Sequence, residues 1–171
     1  MKRLDWTAVA CLVALPMLAT AASEDFDEAE PTWTEAATAL PALPKPADLV
    51  EFTVGGGRSH RYYLDPASIS FGTDGVVRYT LVMRMAGGAE NIHYEGLRCA
   101  TGERKVYAFA GRDGAWSPNK SANWTYIDAR SDHSYHKELF FHYLCTVDGA
   151  GKELATIRRA LVSGGLRRGG D

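Results

Sequence analysis

The chain has 171 residues, 46% of them hydrophobic and 23% charged, with a formal net charge of −2. This is the composition of one soluble globular domain long enough to bury a core, and it excludes a disordered or fibrous chain. The slight acidity gives no bulk attraction to nucleic acid.

Lys2 and Arg3 precede an apolar run from Trp6 to Leu18, and Ala19-Thr20-Ala21 then supplies an A-x-A cleavage pattern. Residues 1–21 are therefore expected to be a signal peptide, cleaved between Ala21 and Ala22. The run of roughly 13 residues falls short of the about 20 that a spanning helix needs. Cys11 has too little apolar sequence ahead of it to serve as a lipid-attachment site, so a lipoprotein is not expected. Cleavage removes two basic residues and one acidic residue and leaves the mature chain acidic.

Residues 22–47 form an acidic, Pro-rich arm: six acids and no base lie between Ser23 and Glu35, and Pro41, Pro44 and Pro46 follow. Such a segment buries little and is expected to be mobile or extended. Trp33 and Leu40 are its apolar exceptions and are expected to tether it to the domain. Residues 48–165 are assigned to one globular domain and 166–171 to a basic tail.

Leu49 to Val54 and Arg61 to Leu64 predict a hairpin around Gly55-Gly56-Gly57, which lacks the lysine and helix of a phosphate loop. Asp65-Pro66 is expected to end the second strand, and Gly72-Thr73-Asp74-Gly75 turns the chain into the central stretch. There Val77, Tyr79, Leu81, Met83 and Met85 share one strand face, with Arg78, Thr80 and Arg84 on the other, wet face. The glycines of Ala86 to Glu90 permit a turn, and Ile92 and Tyr94 begin the returning strand. Placing Met85 against Ile92 sets Met83 against Tyr94 in the core and leaves Glu95 outside with the arginines. After Gly96 the apolar residues move to Leu97 and Cys99, which predicts a bulge near Gly96.

Arg104 to Ala110 reads as a further strand with bulk on both faces, and a loop with Trp116 and Trp124 at its ends follows. Asn119-Lys120-Ser121 and Asn123-Trp124-Thr125 match the short glycosylation pattern, which matters only in a glycosylating host. Ser134 to Cys145 fits a helix through His136, Leu139, Phe140, Tyr143 and Leu144, and a strand through Leu139, Phe141, Tyr143 and Cys145. Helix is preferred because Asp132 or Ser134 can cap it. Lys152 to Ser163 predicts a second helix, with Leu154, Ile157, Leu161 and Val162 on one face and Gly164-Gly165 at its stop.

Cys99 and Cys145 remain as an even pair in an oxidising compartment and are expected to form a disulfide. A zinc site using both with His142 is the competing reading, but zinc usually takes four ligands and no fourth is evident. Asp132, His133, Ser134 and His136 have the residue types of a hydrolase site. Neighbours in sequence rarely converge, however, and no G-x-S-x-G elbow exists. His133 and His136 could also share a metal with Asp132 or Glu138, although a polar capping loop accounts for them equally well. Arg78, Arg84, Glu95 and Arg98, on one outer face, suit bidentate recognition of an anion. Cross-strand ion pairs, worth about 0.2–1 kcal/mol each, are the simpler account. Trp116 and Trp124 are candidates to line a binding surface. Arg158, Arg159, Arg167 and Arg168 make the C-terminal end basic enough for peripheral contact with acidic lipid.

The run DGVVRYTLV, the later YEGLRC, Trp116, Trp124, the His136 to Cys145 segment and the final RRGG together resemble the CNP1-like family of proteobacterial envelope proteins. Trp33-Thr34-Glu35 with LPALPKP looks like that family's opening segment. The resemblance implies a periplasmic or envelope location. It assigns no activity and no catalytic residues, because the family is itself of unknown function.

The expected fold is α+β: an antiparallel sheet of about five or six strands with two C-terminal helices packed on one face. The expected function is a non-catalytic periplasmic binding or structural module for an envelope protein or cell-wall component. Its site would use Arg78, Arg84, Glu95, Arg98, Trp116 and Trp124. No catalytic residue, metal or cofactor is assigned. A small hydrolase acting on an envelope polymer through His133 or His136, and an assembly factor held at the membrane by the basic tail, are the alternatives.

Overall fold

A computed structural model describes residues 32–55, 60–111, 113–128, 130 and 134–163. The leader with Cys11 and the Ala21–Ala22 junction, Asp132, His133, Arg167 and Arg168 lie outside the described residues. Among the described residues no helix is long and apolar enough to cross a membrane.

Among the described residues seven antiparallel strands carry the fold: β1 (Val50–Phe52), β2 (His60–Phe71), β3 (Val76–Met85), β4 (Glu90–Arg98), β5 (Glu103–Ala110), β6 (Trp116–Pro118) and β7 (Thr125–Tyr126). The first six neighbour one another in chain order, and β7 pairs with the other end of β5. Helical structure is short. A turn of helix α1 (Tyr135–Glu138) runs into a π-helical segment (Leu139–Leu144), and α2 (Leu154–Val162) follows.

The central hairpin forms where expected, in a different register. Arg84 pairs with Glu90, Val82 with Ile92 and Thr80 with Tyr94. The turn closes over Ala86 to Ala89, with Gly88 at φ +83°, and so returns Glu90 to the ladder. An odd shift in register exchanges the faces of every side chain on one strand relative to the other. Ile92 and Tyr94 therefore share a face with Arg78 and Thr80, whereas His93, Glu95 and Leu97 share one with Tyr79 and Leu81.

Both faces are covered. Val76, Arg78, Thr80 and Val82 are as buried as Val77, Tyr79 and Leu81, so the face expected to be wet is interior. Two-sided burial also explains the passage from Ile92 and Tyr94 to Leu97 and Cys99 without an extra residue in β4. The irregularity lies in β5: Tyr94 pairs with Ala108 and Glu95 with Val106, leaving Tyr107 as the added residue. Gly96 serves a different purpose. A Cβ there would come within 2.8 Å of the Tyr107 hydroxyl and 2.9 Å of Val76 Cγ1. Gly96→Ala is expected to cost roughly 1–3 kcal/mol through overpacking, read as a lower urea midpoint.

β2 does not stop at Asp65-Pro66. Asp65 pairs with Thr80 and Ser70 with Arg78 across a bulge, which Ser68 stitches by donating its hydroxyl to Asp65 O and accepting Thr80 N–H.

The core joins Leu64, Val77, Tyr79, Leu81 and Leu97 of the strands to Leu139, Tyr143 and Leu144 of the π segment and Ile157, Ala160 and Leu161 of α2. Ser134 caps α1 by accepting Lys137 N–H. The wider i to i+5 closure that follows, Cys145 N–H to Phe140 O at 3.2 Å, places the buried Cys145 beside Cys99, and the two form the expected disulfide. Bonded sulfurs are not thiolates and cannot ligate zinc with His142. In α2, Val162 is exposed, and Ala160 takes its expected place in the core.

Candidate functional site

The sheet separates residues that the sequence grouped together. Arg78 and Arg98 lie on one face, Glu95 on the other, and Arg84 at the hairpin end pairs with Glu90 and sits 4.5 Å over the Tyr63 ring. The four do not form one anion site.

Arg78, Arg98, Trp116 and Trp124 instead meet the arm. Trp33 donates its indole N–H to Asp74 O at 2.8 Å, meets Trp124 edge-on at 5.8 Å and lies 3.9 Å from the Arg98 guanidinium carbon. Glu35 accepts from Lys105 Nζ at 2.7 Å and from Trp124 Nε1 at 3.1 Å, and Trp116 donates to Pro41 O at 2.7 Å. Trp33 thus tethers the arm as expected, while Leu40 is exposed. Burial pushes the Asp74 carboxyl up, but Arg78 and the backbone N–H groups of Ala36 and Val76 overcome this and hold it at about 2.

On the opposite face Glu95 is fully buried. Its Oε2 accepts from the Tyr79 hydroxyl and His136 Nε2, and its Oε1 from His93 Nδ1 and the Tyr135 hydroxyl, all at 3.0 Å. Burial raises its pKa, and the bonds from His136 and His93 more than offset this, holding the carboxyl well below the usual range. An ionised carboxylate only accepts, so each histidine must carry a proton on the nitrogen that faces it. Burial and the adjoining charge push the Tyr79 and Tyr135 hydroxyls up, so both remain donors.

Above this cluster opens a cleft of about 510 Å³ lined by Tyr62, His93, Arg104, Tyr126, Asp128 and Tyr135 among others. Tyr135 connects the two levels, with its hydroxyl on Glu95 and its ring 5.3 Å from that of Tyr62. Tyr126 is 78% exposed. With His93 Nδ1 committed to Glu95, its other ring nitrogen is left for hydrogen bonding. The arrangement combines aromatic faces with one cation, one anion and a fixed imidazole, as a ligand pocket does. Among the described residues no group of three His, Cys, Asp or Glu side chains is placed to hold a metal ion.

Of these residues Glu95, on the opposite face from that expected, and His136 are candidates from sequence. Tyr79 is expected only in the core, and His93, Tyr135, Arg104 and Tyr126 are not among the expected site residues. The available signal was His93-x-Glu95, two ionisable residues that strand alternation sends to the same face.

The model of the CNP1-like family matches residues 28–162. No curated protein and no solved structure gives a significant match.

Proposed function

The chain belongs to the CNP1-like family, and from that premise we propose that it is a non-catalytic binding module of the bacterial cell envelope. It is exported to the periplasm, freed of its leader after Ala21, and takes an envelope component in the cleft above Glu95. In this reading the C-terminal helices form a layer over the Glu95 face, while the arm closes the other face.

The observation that carries the reading is the fully buried carboxylate with four donors directly beneath an open cleft. Replacing a buried ionic cluster by apolar residues of equal volume is often neutral or stabilising, so stability alone is a weak reason for this one. Titratable groups perturbed by burial and partners gather at working sites, and this cluster fixes the rings of His93 and Tyr135 at the cleft floor. The A-x-A leader, the disulfide and the family support the location.

One observation favours a hydrolase as the second reading: His93, held through Nδ1 by a carboxylate, has the orientation of a general base. Of the two histidines expected for a hydrolase, His136 is buried with Nε2 on Glu95, and His133 lies outside the described residues.

Native mass spectrometry of the protein from its own host's envelope, without reductant, tests the proposal. A mass that starts at Ala22, lies two hydrogens below the reduced value and carries a non-covalent ligand is expected, with the ligand lost in Tyr126→Ala. A full-length or acylated mass overturns the location, and a ligand retained by Tyr126→Ala overturns the cleft. Turnover of envelope polymer that vanishes in a folded His93→Ala variant overturns the non-catalytic reading.

A further inference from the structure

The residues that seat the arm amount to a sequence-reading groove. From Trp33 to Pro41 the chain has no regular secondary structure and pairs with no strand, so its position is set by side chains rather than by a backbone ladder. Three consecutive requirements can be read from the contacts. The Trp33 ring fills a slot between Arg98 and Trp124 and bonds Asp74 O. Two residues on, the Glu35 carboxylate meets Lys105, the Trp124 indole and, at 4.0 Å, Arg78. Ala36 is then held at both backbone groups, its N–H by Asp74 Oδ2 at 2.9 Å and its carbonyl by Arg78 Nη2 at 3.2 Å.

The receiving residues have partners of their own. Arg78 and Asp74 form a 2.6 Å ion pair with side chains 4% and 1% exposed, and Arg98 pairs with Glu103 at 3.4 Å. Because these pairs do not involve the arm, they give the groove a scaffold of its own. With the arm lifted away, Arg78, Arg98 and Lys105 would face solvent beside an aromatic slot, a surface complementary to an indole followed by a carboxylate.

We infer that this groove is a binding site for extended peptides with a tryptophan, a carboxylate two residues later and, at the residue after that, a backbone N–H and carbonyl free to meet Asp74 and Arg78. It is filled in cis by Trp33, Glu35 and Ala36, and it accepts the same pattern from another polypeptide. The tethered arm acts at an effective concentration on the order of millimolar, so a peptide in trans must compete with it.

The test uses the full chain carrying Trp33→Ala and Glu35→Gln, which removes the two side chains that anchor the arm and leaves the groove residues unchanged, and a fluorescent peptide copying residues 32–43. The peptide is expected to bind this variant at least about tenfold more tightly than it binds the wild type, whose groove is occupied. Peptides with the tryptophan changed to alanine or the glutamate to glutamine are expected to bind at least about tenfold more weakly, since each loses packing or charge-assisted bonds. No binding to a variant that retains its circular dichroism and disulfide, or equal affinity for all three peptides, overturns the inference. Should the variant not fold, the wild type decides. Excess peptide must move the Trp33 indole N–H resonance to its solvent-exposed value, and a resonance that stays in place overturns the inference.

Discussion

Glu95→Ala is expected to destabilise the fold by about 3–5 kcal/mol, the range for removing one partner from a buried ionic cluster. The carboxylate is 0% exposed and accepts from two imidazoles and two phenols. Alanine leaves all four donors without an acceptor where water has little access, and each orphaned group retains its desolvation cost. Glu95→Gln keeps the volume but turns an N–H₂ toward donors, and it is expected to fall between alanine and the wild type. Glu51→Ala is the control: its partner Arg61 is exposed, so less than about 1 kcal/mol is at stake. Guanidinium unfolding gives both values. A Glu95→Ala midpoint as close to wild type as that of Glu51→Ala would sink the idea that this cluster is a costly, purposeful burial.

The same cluster sets the acid limb of the stability curve. Glu95 and Asp74 both have folded pKa values depressed below those of the unfolded chain, Asp74 to about 2. In acid the unfolded state therefore binds more protons than the native state, and stability rises with pH through that window. The contribution is complete above the unfolded carboxylate values of about 4. It is lost progressively as pH falls toward about 2 for Asp74 and lower still for Glu95. Glu95→Gln and Asp74→Asn are each expected to flatten this limb. Parallel curves for a variant and the wild type between pH 5 and 2 would show that the carboxylate is not bonded as described.

Local structure was legible where the signal was local. The alternation in Val77 to Leu81, the Ser134 cap and the spacing of Leu139, Tyr143, Ile157 and Leu161 each depend on a few adjacent residues, and each is present. The pairing register depends on where the turn closes, and a turn with two glycines closes equally well at several lengths. That single ambiguity reversed the face of Glu95. A second is independent of it: Arg78 looks like part of a wet face until a segment some 40 residues earlier is known to cover it. The cleft was hidden for the same reason, because Tyr62, His93, Arg104, Tyr126 and Tyr135 come from β2, β4, β5, β7 and α1, and no spacing in the sequence links them.

Loss of the Cys99–Cys145 bridge is expected to cost about 4 kcal/mol in the chain-entropy account, for a sequence separation of 46. The segment it closes contains β5, β6, β7, α1 and the π segment, so most of the cleft lies inside the loop. A domain of this size has about 5–15 kcal/mol of stability in all. The reduced chain would therefore keep little margin, and His136 and Tyr135, borne on the short α1 just before the π segment, would be among the first residues to loosen. Reductant is expected to lower the urea midpoint of the wild type by an amount matching that loss. It should leave the Cys99→Ala, Cys145→Ala double variant, already lowered, unchanged. If the double variant unfolds at the wild-type midpoint, the bridge contributes nothing and the argument from redox compartment falls with it. If the loss is found, a cytosolic copy of the chain should accumulate poorly while an exported copy accumulates folded, which ties the export expected from Lys2 to Ala21 to the physics of Cys99 and Cys145.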